Sequence, residues 1–103
     1  MSSGRTDPWQ ATRRELTTPL PVWVELPLAL RPSRVGSGRA VPLRVRAGGI
    51  DNAATVPGLL LAWHRTTTGD WFALTRFTAT NRAGTAQLEL THLLPADAVK
   101  PRA

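Results

Sequence analysis

From Thr18 to Leu30 the apolar residues recur at every second position. Leu20, Val22, Val24, Leu26, Leu28 and Leu30 share one face, and Pro21, Trp23, Glu25, Pro27 and Ala29 share the other. That period is the signature of an extended strand with one buried side. The prolines at 19, 21 and 27 remove backbone donors, so the alternation predicts an edge strand or an arm lying on a barrel rather than a central strand. A loop, "RPSRVGSGR", comes next. "AVPLRVRA" then alternates again, with Val41, Leu43 and Val45 predicted inward and Arg44 and Arg46 outward to one side. Gly48 and Gly49 close that segment.

The second half of the chain is patterned more plainly. "LLLAWHR" reads as a strand over 59–65, "TTTGD" as a hairpin loop, and "WFALTRFTA" as the return strand over 71–79. After the turn "TNRAG", residues 85–92 alternate once more, with Ala86, Leu88, Leu90 and His92 on one face. "LLPADA" predicts a single 3₁₀ turn, with a short strand near 98–101 after it. Before all of this, Asp7-Pro8 is a helix start, with Asp as N-cap and Pro in the first turn. "PWQATRREL" is predicted to make two turns with Trp9, Arg13 and Leu16 on one side.

These elements predict an all-β fold: a small barrel of about five strands with a proline-rich N-terminal arm and a short N-terminal helix. Residues 1–18 read as a tail carrying that helix, 19–40 as the extended arm and loop, and 41–103 as the barrel. A three-stranded meander preceded by one strand and followed by a 3₁₀ turn and a short strand resembles the small SH3-like barrels of the Tudor, chromo-barrel and KOW type. "VPGLLLAWHR", "GDWFALTRF" and "LTHLLPADAVKP" carry the resemblance, which is one of layout. The pattern PG-apolar-W … GW-A … LLPA-P is also similar to that of small proteins of GC-rich bacteria, which implies kinship of fold and no activity.

Composition narrows the chemistry. With 103 residues and no cysteine, the chain holds one domain and neither a disulfide framework nor a thiolate metal site. The two histidines and seven acids show no ligand spacing, and no serine sits in a nucleophile elbow. An enzyme is therefore not expected, nor a cofactor. No apolar run is long enough to span a bilayer, and no leader pattern is visible, so a cytoplasmic, non-membrane protein is expected. His64, on the opposite strand face from Trp63 and Arg65, reads as a surface histidine within reach of Asp70. His92 reads as partly buried near the barrel end.

Charge then raises one functional expectation. Net charge is +6, and twelve of the thirteen basic residues are arginine. Guanidinium groups bind phosphates bidentately and stack on bases. Arg34, Arg39, Arg44 and Arg46 in the loop and first barrel strand, with Arg65, Arg76 and Arg82 on or near the central hairpin, are candidates for one basic face. Trp71 is its candidate stacking platform, and Trp63 and Trp71 bracket the hairpin loop, where the register decides whether they form a cross-strand pair. The leading expectation is a non-catalytic module that contacts the phosphates of DNA or RNA. The alternative is a protein-interaction module or subunit of a larger assembly, with residues 19–30 adding to a partner's sheet or sheltering the protein's own edge.

Overall fold

The computed structural model describes residues 7–31 and 41–102. Within them lie three short helices, α1 (Pro8–Ala11), α2 (Leu26–Ala29) and α3 (Leu43–Gly48). Five strands accompany them: β1 (Arg13–Glu25), β2 (Thr55–Arg65), β3 (Trp71–Thr80), β4 (Gln87–Pro95) and β5 (Val99–Pro101). A 3₁₀ turn at Ala96–Ala98 joins the last two strands. All strands belong to one antiparallel sheet in the order β4-β3-β2-β1-β5, curled into a half-barrel. The all-β architecture with a short N-terminal helix agrees with the sequence expectation, as do the meander, the 3₁₀ turn and the last strand.

Two elements differ from it. The proline-bearing segment is an inner strand, with β2 on one side and β5 on the other. Each proline occupies a place where a donor is not needed. Pro19 lies in the register shift between Glu15 and Leu20, and Pro27 falls in the first turn of α2. The Pro21 carbonyl accepts from the Arg102 N–H. A strand residue's N–H and C=O point to the same side, so the missing donor of Pro21 faces beyond the end of β5 and not toward β2. From Val22 to Val24 both edges of β1 are taken, so this stretch cannot add to another sheet. Likewise, α1 makes one turn and stops, because Arg13 to Leu16 join β1 instead of extending the helix.

The second correction is at 41–47, where the alternation predicts a strand and α3 stands. Val41, Leu43 and Val45 alternate, but among the described residues nothing receives that face: Leu43 is 79% exposed and the other two are about half exposed. Pro42 at its N-cap and Gly49 at its C-cap bound the single short helix. On a helix, positions two apart differ by about 200°. Arg44 and Arg46 therefore point to opposite sides rather than one.

The core forms on the concave face of the sheet, from Val22 and Val24 on β1, Leu60 on β2, Ala73 and Phe77 on β3, and Leu94 on β4. Leu26 and Ala29 of α2 and Ala98 of the 3₁₀ turn close one mouth. Gly58 faces this core opposite Phe77. A Cβ there would lie 2.9 Å from Val24 Cγ2 and 3.0 Å from the Arg76 carbonyl oxygen, so glycine is what lets β1, β2 and β3 approach. At the β3–β4 turn, buried Asn81 accepts from the Thr85 and Ala86 N–H groups and donates to the Thr85 hydroxyl. His92, expected to be partly buried, is exposed: it lies on the concave face of β4, the sheet's outermost strand, where little covers it.

A bulge in β2 decides which side chains share a face at the hairpin end of the sheet. The pairing with β3 slips between Leu60 and Ala62. Leu60 faces the core opposite Thr75, and after the extra residue Trp63 faces it opposite Ala73. The bulge thus turns Trp63 and Arg65 onto the same side as the even-numbered Gly58 and Leu60.

Candidate nucleic-acid interface

One end of the sheet gathers arginine and tryptophan. There β1 begins, β2 ends and β3 begins, in the register Arg14↔Trp63↔Ala73 and Arg13↔His64↔Phe72. Arg65 pairs with Trp71 across the mouth of the hairpin. Cross-strand partners share a face, so Arg14, Trp63, Arg65 and Trp71 lie on the concave side, and Arg13, His64 and Phe72 on the convex side. The register makes the tryptophans diagonal neighbours and not a direct cross-strand pair. Trp63 packs against the core, whereas Trp71 is flanked by guanidinium groups, Arg14 at 5.3 Å and Arg65 at 5.8 Å from its ring centre. Contacts of this kind stabilise by about 0.5–1 kcal/mol where exposed.

The convex side is built similarly. The side chain of Asp7 accepts from the Trp9 N–H at 3.0 Å and fixes the start of α1. The Thr12 hydroxyl donates back to the carbonyls of Pro8 and Trp9. This single turn seats the Trp9 indole 5.1 Å from the His64 ring, with Arg13 at 5.7 Å. His64 is therefore a half-buried support for Trp9 and not a lone surface side chain.

The hairpin loop holds Arg65 in place. Its Nε donates to the Gly69 carbonyl at 3.0 Å, and Gly69, with φ +90°, makes the turn that presents that carbonyl. Asp70 takes the Thr68 hydroxyl at 2.7 Å instead of pairing with Arg65 or His64. The ion pairs among the described residues are Arg13–Glu15 at 3.6 Å and Lys100–Glu25 at 3.0 Å. Arg14 and Arg65 take part in neither.

Two clefts flank this end. One, of about 320 Å³, is lined by Pro8, Trp9, Thr12, Arg65, Thr66 and Thr67. The other, of about 370 Å³, is lined by Trp71, Phe72, Pro95 and Ala96 together with Asp70 and Asp97. The first has a cationic edge and the second an acidic one.

The single basic face expected from sequence is not assembled. Arg65 and Trp71 do meet. Arg76 lies five residues along β3 from Trp71, an odd step, so it projects from the opposite face beside Leu59 and Thr91. It lines a small cleft there with Glu89 and Arg102. Arg82 comes after β3 at the far end of the sheet, roughly 30 Å or more from Trp71 at about 3.3 Å per residue. Arg46 lines a cleft with it, and Arg44 stands exposed on α3. Arg34 and Arg39 lie outside the described residues. The residues that sequence reasoning missed are Trp9, Arg13 and Arg14, assigned to a helical tail, and Arg102, which donates to the Val22 and Gly58 carbonyls and covers Trp23 at 5.6 Å.

Among the described residues no helix is long and apolar enough to cross a membrane, and no three His, Asp or Glu side chains converge as metal ligands. No protein family, curated protein or solved structure matches this chain.

Proposed function

We propose that this protein is a non-catalytic binding module that holds nucleic-acid phosphates at the arginine–tryptophan end of its sheet. The observation that carries the reading is Trp71 set between Arg14 and Arg65, neither of them engaged by a carboxylate within ion-pair distance among the described residues. Stacking a guanidinium on an indole fixes its plane while leaving its N–H edge to meet phosphate oxygens. Arg13 lies on the adjoining convex side in an exposed ion pair with Glu15, of the weak kind that a phosphate can replace. In fold terms we read the sheet as an SH3-like barrel: the strand order, with β1 between β2 and β5 and one 3₁₀ turn before β5, supports that kinship of layout.

The test is fluorescence anisotropy with labelled DNA and RNA oligonucleotides across a salt series. Binding is expected to weaken with a log–log slope of about −2 to −3 on duplex DNA and about −1.5 to −2 on single strands, as for two or three neutralised phosphates. The double variant Arg14→Gln/Arg65→Gln is expected to bring the slope to about −1. Absence of binding to any oligonucleotide at low salt overturns the proposal.

A protein partner is the second reading, favoured by the outer edge of β4, which no strand among the described residues pairs and whose Leu88 and Leu93 are exposed on opposite faces. A pull-down from native cells with and without nuclease separates the two. Partners lost on nuclease treatment support the first reading, and partners retained support the second.

A further inference from the structure

The two clefts beside Arg65 and Trp71 differ in charge, and that difference constrains what a bound strand does. A phosphodiester backbone leaving Arg65 toward Asp70 and Asp97 meets two carboxylates. Leaving toward α1, it meets a cleft whose lining holds Arg65 and no acid. Asp7, which begins α1, accepts from the Trp9 N–H, and Glu15 on that side is paired with Arg13. The favourable path therefore runs over Trp9.

Trp9 is not spent on the fold. It belongs to no part of the core, and it is 54% exposed even though His64 and Arg13 brace its ring. An indole held in this way is a platform for a flat π-system. In a duplex the base faces are covered by their neighbours, and only edges, sugars and phosphates are presented; an unpaired base has a face to offer.

Resting on the phosphate-binding reading, we infer that the ligand is single-stranded and that one unpaired nucleotide occupies the cleft between Trp9 and Arg65. Its base stacks on the Trp9 indole and its phosphate meets the Arg65 guanidinium. The hydroxyls of Thr12 and Thr66 are turned onto backbone carbonyls, which leaves the Thr67 hydroxyl to reach the sugar or phosphate. Stacking reads no base edge, so sequence preference is weak.

The experiment compares one oligonucleotide sequence as single strand and as duplex, in DNA and in RNA, against the full chain and two variants. The single strand is expected to bind at least about 10-fold more tightly than the duplex. Trp9→Leu, which keeps an apolar brace over His64 without a π face, is expected to weaken single-strand binding by about 5- to 150-fold and leave duplex binding unchanged. Trp9→Phe is expected to retain most of the single-strand affinity. Because Trp9 lies outside the core, both variants are expected to melt with the parent. Salt-dependent binding indifferent to strandedness, or to Trp9→Leu, overturns the single-strand inference and leaves the phosphate reading standing. Failure of both forms to bind overturns both.

Discussion

Deleting residues 1–30 is expected to abolish the fold. The segment looks dispensable in the sequence, as a tail followed by a proline-rich arm, but the structure makes it central. It supplies β1, which among the described residues is the one partner of β5 and one of the two partners of β2. It also supplies Val22, Val24, Leu26 and Ala29, four of the eleven buried hydrophobic residues among those described. Fully burying a valine or leucine contributes roughly 1.5–3 kcal/mol, so the three larger side chains alone account for about 5–9 kcal/mol. A domain of this size is stable by only about 5–15 kcal/mol. The fragment also leaves the inner surfaces of Leu60 and Phe77 uncovered. Circular dichroism of residues 31–103 is expected to show no cooperative thermal transition. A sharp melt with the parent's β-sheet spectrum would return β1 to the status of an accessory arm.

Phe77→Ala is expected to be the most damaging single substitution of the core. Phe77 is 3% exposed and lies between Gly58 on β2 and Leu90 on β4. Large-to-small changes of this kind cost about 3–5 kcal/mol, the upper values where neighbours cannot collapse into the space. Here one neighbour is a glycine, with no side chain to move. At about 4–8 °C per kcal/mol for a small domain, the melting temperature is expected to fall by at least about 12 °C. A drop of a few degrees, measured by calorimetry, would show that β2 and β4 close over the gap.

The same residues show how much of the fold was legible in the sequence. In the second half, strands, hairpin loop and 3₁₀ turn all coincide with local signals: strict alternation, Gly in the loops, Pro95 before the turn. The first half misleads because its signals are local and their resolution is not. Proline forbids a donor, but whether the donor is missed depends on what lies opposite. For Pro21 the answer is set by Arg102, far along the chain. "AVPLRVRA" alternates as well as any strand, and becomes helix because no core receives Val41, Leu43 and Val45.

The site divides in the same way. That Arg65 and Trp71 both flank the hairpin loop was legible. That Arg76 cannot join them was also legible, since five residues along a strand is an odd step. Arg13 and Arg14 were hidden by the helix start at Asp7-Pro8, whose pattern continues to Leu16 although the helix ends at Ala11. The bulge after Leu60, which brings Arg65 round to Trp71, leaves no mark in the alternation.

The pairing of β1 with β5 also governs the order of folding. Arg102 is tied to the Val22 carbonyl across 80 residues, while β2, β3 and β4 are linked by short turns. The meander can assemble from near neighbours, but β1 and β5 must close the longest loop in the molecule before gaining anything from it. The pairing of β1 with β5 is therefore expected to be the slow event in folding. Until it occurs, the concave face of the meander stands open, and the hydrophobic surface that β1 will cover is available to any other strand.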